Sequence, residues 1–326
     1  DHKFVYHRPN MKLGDEGEYR LQLMVSGDKL TELKRFIKIP ETFNRKYAEM
    51  RSFNNTIAQV ALYGMILFYF IGGIVIGLFL LNKARWIIWK PAIYWGALVA
   101  FVMMIVQINF WPLFWLGYDT AVSPQNFMLQ NVIGFVGGFL VSTLYLSLSF
   151  LAAEGLTRKA FPEHVQLWKV WNNQGAASYQ ILSRTVGGYL LVGFNLSFVV
   201  IFYYLTTKYF GWWVPSGPLL NPNVIATPLP WIMSIGISLQ AGFWEECLFR
   251  AIPIAGAAII GQKYGKKRLF IGLALILQAV IFAAAHANYP SMPAYSRLVE
   301  LFIPSIVWGL IYIRFGLLPC IISHFT

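Results

Sequence analysis

Two carboxylates and a guanidinium interrupt one of the long apolar segments of this sequence. Glu245, Glu246 and Arg250 stand within an apolar run from Trp231 to Ile260. An ionised side chain at the centre of a bilayer costs about 2.5–3.5 kcal/mol on insertion scales, so such residues usually mark a functional site or an ion pair. These three residues are therefore the first candidates for a functional site.

Helical spacing gives the two carboxylates different neighbours. Positions 246 and 250 lie about 40° apart around an α-helix, so Glu246 can pair with Arg250. Glu245 lies about 140° from Arg250, which leaves it without a local cation. An unpaired carboxylate of this kind can act as a general base toward water. The alternative is that all three charges form a structural network between helices.

Two histidines are predicted to be the only other ionisable residues near membrane depth. His286 ends the sixth apolar run one turn after Phe282, and His324 lies in the last run. A single histidine in an apolar helix usually has a structural role, but two of them beside an unpaired glutamate favour a site. Glu245, His286 and His324 can activate a water molecule directly, or they can hold Zn²⁺ with one position open. The HExxH signature of helix-borne zinc sites is absent.

Membrane helices must position these residues. The sequence is 57% hydrophobic and only 12% charged, and its apolar residues come in runs of about 20, the length that a bilayer requires. No run shows the period-2 alternation of a membrane barrel. We predict an all-α polytopic membrane protein with a bundle of about eight transmembrane helices, the last one cut short at Thr326. The predicted spans are 58–81, 92–116, 127–153, 186–206, 231–260, 269–285 and 299–313, with an eighth that begins at Leu317.

The formal net charge of +12 raises the question of a nucleic-acid partner. The cations lie in short loops, without a basic stripe or an aromatic-interleaved motif, which argues against nucleic acid. The positive-inside rule assigns the side with more Lys and Arg to the cytoplasm. Twelve loop cations fall on one side and two on the other, so the N-terminal segment is expected outside. The twelve are Lys83, Arg85, Lys90, Arg158, Lys159, Lys169, Arg184, Lys263, Lys266, Lys267, Arg268 and Arg314, and the two are Lys208 and Arg297.

A polar segment, residues 1–57, precedes the first span. Apolar and polar residues alternate over 19–25, which predicts a half-buried strand followed by a turn at 26–28. We interpret residues 1–57 as a fragment of a small β-containing extracytoplasmic domain with an α/β character. Residues 58–326 then form the transmembrane helical domain.

The charged residues resemble the pattern of the CPBP family (CAAX protease and bacteriocin-processing, also called ABI), intramembrane metalloproteases related to type II CAAX prenyl endopeptidases. The family pattern is EExxxR, then FxxxH, then a histidine followed four residues later by Asn or Asp, each on its own helix. The resemblance covers about residues 230–326, and position 328 lies beyond the printed sequence. The matching elements are Glu245-Glu246-x-x-x-Arg250, Phe282-x-x-x-His286 and His324.

The resemblance implies an intramembrane protease, of CAAX type or a related glutamate or metallo endopeptidase. Glu245 would activate water with help from His286, and His324 would stabilise the oxyanion. Glu246, Arg250 and Phe282 would support the site. The partners would be the lipid bilayer and a peptide or membrane-protein substrate, prenylated tails included. Zn²⁺ would be the cofactor if Glu245, His286 and His324 bind a metal, and a metal-free mechanism is the alternative.

Two other function classes remain open. A proton-coupled transporter could use Glu245 and His286 as a proton relay, but the sequence shows no inverted repeat and no second pair of broken helices, which are typical of transporters. A catalytically inactive membrane scaffold of the same family could retain the charges for assembly.

Overall fold

A computed structural model describes residues 1–14, 16–214 and 222–326. By their internal contacts these residues divide into two compact units, Asp1–Thr56 and Ile57–Thr326. Helices dominate the second unit and a small sheet forms most of the first.

The sheet of the first unit is an antiparallel meander of β1 (His2–Leu13), β2 (Gly17–Ser26) and β3 (Lys29–Lys38). The predicted strand lies in β2, and the predicted turn follows at Gly27, whose φ of +63° is in the left-handed region that favours glycine. All ten residues of β2 are partly buried, so β2 does not alternate between buried and exposed residues as the sequence pattern does between apolar and polar ones.

Three π-helical segments, Met65–Ile76, Ala241–Glu245 and Cys247–Ala251, and three short 3₁₀ turns, Trp115–Gly117, Leu167–Lys169 and Pro222–Ala226, lie between the described α-helices. The α-helices are α1 (Glu41–Gly64), α2 (Gly77–Lys83), α3 (Trp89–Asn109), α4 (Trp111–Phe114), α5 (Pro124–Ala160), α6 (Asn173–Ala176), α7 (Tyr179–Phe210), α8 (Pro230–Gln240), α9 (Ile252–Lys263), α10 (Lys267–Ala285), α11 (Ser296–Phe315) and α12 (Leu317–Phe325).

Six helices in the described residues are long and apolar enough to cross a membrane. Six of the predicted spans overlap them, so the all-α membrane class is confirmed. The count of eight is not confirmed, because α8 and α9 are separated by π-helical segments and α12 has nine residues. The six candidates are Glu41–Lys83, Trp89–Asn109, Pro124–Ala160, Tyr179–Phe210, Lys267–Ala285 and Ser296–Phe315.

Helix boundaries follow local backbone chemistry. The predicted second span is too long, because α3 ends at Asn109 and Pro112 follows within α4; proline lacks the N–H that would continue the helix. Ser123 caps α5 by accepting a hydrogen bond from the backbone N–H of Asn126. Gly316, with a φ of +86°, ends α11 and turns the chain into α12.

The core of the second unit lies where α9, α10, α11 and the π-helical segment Cys247–Ala251 pack together. Phe249, Phe282 and Trp308 form its aromatic centre, and Tyr312 is fully buried beside them. The hydroxyl of Tyr312 is within 2.7 Å of the Thr157 hydroxyl on α5, so a polar contact ties α5 to α11 inside this core.

Candidate active site

The helical run from Pro230 to Lys263 carries the two glutamates and the arginine. Its central residues form two π-helical segments on either side of Glu246, and α9 begins at Ile252 with Pro253 in its first turn. A π-helical segment changes the direction in which side chains leave a helix, and such segments are frequent at functional sites. They bring Glu245 toward two imidazoles and Glu246 toward Arg250.

Gly242 allows α12 to approach this run closely. A Cβ atom at position 242 would lie 3.1 Å from the carbonyl oxygen of Ile321 and 3.1 Å from the Cβ of Phe325. Such distances are tighter than ordinary van der Waals contact, so glycine fits where a larger residue would push α12 away. The close approach places His324, which lies between these two residues, beside the glutamates.

Glu246 and Arg250 form the ion pair that their spacing predicts. The Oε2 of Glu246 lies 3.4 Å from the Nε of Arg250, and both side chains are fully buried. The central carbon of the guanidinium lies 4.1 Å from the ring centroid of Phe282 and 4.9 Å from that of Trp308. Arg250 therefore meets two aromatic faces as well as a carboxylate, and cation–π contacts of this kind are strongest when desolvated.

Glu245 faces the two histidines. Its Oε2 lies 3.8 Å from the Nε2 of His286 and 3.8 Å from the Nε2 of His324. About one fifth of each of these three side chains is exposed. Within the described ranges Glu245 forms no ion pair with Lys or Arg. The distances exceed that of a direct hydrogen bond, and one bridging water can fill such a gap.

The second ring nitrogen of each histidine has an acceptor of its own. The Nδ1 of His286 lies 2.8 Å from the carbonyl oxygen of Phe282, and because a carbonyl oxygen only accepts, Nδ1 donates. The Nδ1 of His324 lies 2.8 Å from the Oε1 of Glu246, whose other oxygen faces Arg250. Both Nε2 atoms therefore point to Glu245. We call Glu245, Glu246, His286 and His324 the Glu–His cluster.

Trp308 is a site residue that the sequence did not reveal. Its ring stacks on His324 with centroids 5.0 Å apart and planes 21° apart, and it makes an edge contact with Phe282 at 6.0 Å. Phe282 in turn lies 4.6 Å from His286 between ring centroids. Arg250, Phe282 and Trp308 thus pack behind both imidazoles. A tryptophan in an apolar run carries no spacing signal that would have marked it.

Glu300 was also missed, and the prediction that histidines were the only other ionisable residues near membrane depth is wrong. Glu300 is buried in α11 and accepts hydrogen bonds from Arg297 at 2.7 Å and from the Tyr203 hydroxyl at 2.5 Å. Arg297 lies 5.0 Å from the ring of Tyr289, which stacks on His286 at 6.3 Å. The signal in the sequence was the i, i+3 spacing of Arg297 and Glu300.

The zinc hypothesis concerns Glu245, His286 and His324. One carboxylate and two imidazoles are donors that Zn²⁺ takes in catalytic sites. Over the described ranges, however, no group of three or more His, Cys, Asp or Glu side chains is placed to hold a metal ion. The zinc site stays a prediction, and the proton transfers proposed below use only the side chains of the chain.

Residues 227–326 match the family model described as type II CAAX prenyl endopeptidase Rce1-like. A domain of this family lies in the chain. The predicted resemblance is confirmed, and the Rce1-like domain contains all six residues of the sequence pattern. Searches of curated proteins and of solved structures found no match.

The family and the six apolar helices together indicate an integral membrane protease that acts on a peptide or protein substrate. The Rce1-like domain begins just before α8 and ends with α12, so it includes every helix that contributes to the Glu–His cluster.

Proposed function

We propose that this protein is an intramembrane endopeptidase that hydrolyses a peptide bond with water activated by Glu245. The observation that carries the proposal is the position of Glu245. Its Oε2 faces the Nε2 atoms of His286 and His324 at 3.8 Å, whereas the neighbouring Glu246 is occupied by Arg250. A free carboxylate beside two oriented imidazoles has the composition of a water-activating site.

In the proposed mechanism a water molecule lies between Glu245 and His286. The Nε2 of His286 accepts a hydrogen bond and orients the water, and Glu245 takes its proton as the oxygen adds to the carbonyl carbon. When the C–N bond breaks, Glu245 returns that proton to the leaving nitrogen. The proton is thus conserved between the two steps.

His324 serves the oxyanion in this mechanism. Glu246 holds the ring through its Nδ1, and when the Nε2 also carries a proton it donates to the negative oxygen. One such donor is typically worth about 3–4 kcal/mol in the transition state. The stacked ring of Trp308 keeps the imidazole in this plane.

The substrate is proposed to be a peptide or a membrane-protein segment, with prenylated CAAX-type tails as the class that the family description names. The twelve basic loop residues are proposed to face the cytoplasm, and residues 1–57 the outside. We further propose that Pro230–Lys263 crosses the membrane as the span that the described helix count omits. At 1.5 Å per residue its helical segments are long enough to do so with tilt.

The test is hydrolysis of an internally quenched peptide, prenylated and unprenylated, by the purified chain in liposomes. Glu245→Gln keeps the shape of the side chain but removes the base, so cleavage should fall by a factor of about 10²–10⁴. Glu163→Gln makes the same chemical change at an exposed loop residue and should have no effect. Cleavage at the wild-type rate by Glu245→Gln would show that the mechanism is wrong.

Two rival functions give different results. A scaffold would support growth in a complementation assay equally well with Glu245→Gln, and neither protein would cleave the peptides. A proton-coupled transporter would acidify liposomes during solute uptake and would lose that uptake with Glu245→Gln. The buried Glu246–Arg250 pair fits all three functions, so the free carboxylate of Glu245 is the residue that distinguishes them.

A further inference from the structure

A cavity of about 100 Å³ lies beside the Glu–His cluster but shares no side chain with it. The first residues of α3, the last turns of α5, the segment 164–171 and α12 enclose the cavity. Phe243 and Cys247 also line it, on the helical run that carries the glutamates, and so does Ile321, one turn before His324. The cavity therefore adjoins the helices of the cluster without being part of it.

The walls of the cavity are mostly apolar and aromatic. Trp95 stacks on Phe243 at 6.0 Å and lies 6.1 Å from Trp171 between ring centroids. Trp171 is 69% exposed and Phe150 is 7% exposed, so the cavity leads from the surface into the core. Buried water needs two to four polar partners, and the apolar part of the wall around Phe150, Phe243 and Ile321 offers none; left empty, such a space forfeits packing contacts. A hydrocarbon chain can fill this space and pack against its apolar side chains.

Charged side chains lie at the mouth of the cavity. Arg158 pairs with Glu154 at 3.1 Å, so these two largely neutralise each other. The ammonium of Lys169 lies 4.9 Å from the ring centroid of Trp168, which lines the cavity. Over the described ranges Lys169 has no carboxylate partner in an ion pair. The exposed ammonium of Lys169 next to Trp168 therefore offers a partner to an anionic group, worth about 1 kcal/mol per cation near a membrane surface.

The depth of the cavity fits a lipid. Phe150 and Arg158 both line it and are eight residues apart on α5, so it follows about 12 Å of that helix. Arg158 lies near the end of the candidate span Pro124–Ala160, the place where lipid headgroups meet a membrane helix. The charged mouth is therefore at headgroup level, and the apolar end lies toward the bilayer centre.

We propose that this cavity binds one hydrocarbon chain of an anionic phospholipid, with the headgroup phosphate beside Lys169 and Arg158. The bound chain packs against Phe243, Cys247 and Ile321 and thereby supports both helices that carry the Glu–His cluster. The proposal holds whether or not the protein is a peptidase, because it uses only the cavity and its mouth.

The experiment uses the full chain in phosphatidylcholine nanodiscs that contain a small fraction of photoactivatable lipid with a diazirine in its acyl chain. Mass spectrometry of the digested protein locates the label. Phosphatidylglycerol probe should label residues of the cavity wall, such as Trp95 and Phe243, about fivefold more than phosphatidylcholine probe at the same fraction. Retention of phosphatidylglycerol by the purified protein in native mass spectrometry is the independent readout.

A matched pair of variants tests the mouth. Lys169→Glu reverses the exposed cation and should lower phosphatidylglycerol labelling of the wall about fivefold or more, since charge reversal replaces attraction by repulsion. Lys159→Glu reverses an exposed cation of α5 that does not line the cavity and should leave the labelling unchanged. Both side chains are exposed, so neither variant should unfold the protein.

Three results would overturn the proposal. Equal labelling of the wall by the two probes would show that the anionic headgroup does not contribute to binding. Label confined to outward-facing residues, such as Leu190 on α7, would show that lipid merely surrounds the protein. Displacement of the bound lipid by a peptide that carries an isoprenoid group would make the cavity part of the substrate site.

Discussion

At the scale of single residues, variants of the buried pair Glu246 and Arg250 can distinguish effects on stability from effects on catalysis. Glu246 serves both, because it neutralises Arg250 through one oxygen and accepts from the Nδ1 of His324 with the other. Removing one partner of a buried pair leaves an uncompensated charge, whereas replacing both with apolar residues is often neutral. The single and double variants should therefore behave differently.

We expect Glu246→Leu alone and Arg250→Met alone each to lower the free energy of unfolding by about 3–5 kcal/mol. The double variant should regain most of this stability but should not regain peptidase activity, because His324 still lacks its acceptor. Steric-trapping or denaturant unfolding in bilayer mimics measures the first quantity, and the quenched-peptide assay measures the second. A double variant as unstable as the less stable single variant would contradict the ion-pair argument.

Trp308 should act as a positioning residue for His324. Trp308→Leu removes the stacked ring and keeps an apolar side chain, so kcat should fall about tenfold or more while KM changes little. Trp231→Leu, at an exposed position on α8, is the matched control and should keep the wild-type rate. Trp308→Phe should restore part of the loss, because a smaller ring can still stack. Equal kcat values for Trp308→Leu and the control would remove this role.

Glu245, His286 and His324 also determine whether the peptidase activity depends on a metal ion. In the proposed mechanism Glu245 takes the proton of the water without a metal ion, so peptidase activity is expected to survive dialysis against a strong chelator. Metal analysis of the active protein should find less than one Zn²⁺ per chain. Loss of activity on chelation that stoichiometric Zn²⁺ reverses would establish a metal site instead.

At the scale of the elements, α12 is seated between two glycines. Gly242 faces it from one side, and on the other side a Cβ atom at Gly188 of α7 would lie 2.7 Å from the Cβ of Ile322 and 3.0 Å from the carbonyl oxygen of Pro319. The position of His324 at the end of this nine-residue helix therefore depends on small residues in two neighbours.

Gly188→Ala should displace α12 and weaken catalysis. Overpacking of this kind costs about 1–3 kcal/mol, and even a small shift of His324 from Glu245 should lower kcat severalfold. Gly187→Ala is the control, since a Cβ atom at that position meets nothing within 4 Å. Thermal unfolding and the peptidase assay compare the two. Identical behaviour of both variants would mean that α12 tolerates the shift.

The sequence predicted the helices by the length of their apolar runs, and the i, i+4 spacing predicted the Glu246–Arg250 pair. It could not predict the π-helical segments around Glu246, because no residue type marks them. The contacts that position the imidazoles were also hidden. Trp308 and Gly188 contribute through distances between helices, which depend on packing rather than on spacing along one chain segment.

At the scale of the whole molecule, counting residues along the predicted spans assigns different depths to the three site residues. It places Glu245 near the bilayer midplane and the two histidines on opposite sides of it, about 10 Å apart in depth. The structure places the Nε2 atoms of both histidines 3.8 Å from the Oε2 of Glu245. The helical run Pro230–Lys263 is longer than a bilayer core requires, and a helix of that length is accommodated in a membrane by tilting or kinking. The short helix α12 ends at the site and so brings His324 next to Glu245.

The asymmetry of loop cations predicts the orientation of the whole bundle. Single cysteines at two exposed lysines test it, because the native Cys247 and Cys320 are buried and should resist a membrane-impermeant maleimide. In right-side-out vesicles Lys208→Cys should react at once, and Lys159→Cys should react only after permeabilisation. The reverse pattern would place the basic loops outside. Since Lys159 and Lys169 share the loop side of α5, that pattern would also move the proposed phospholipid site to the outer leaflet.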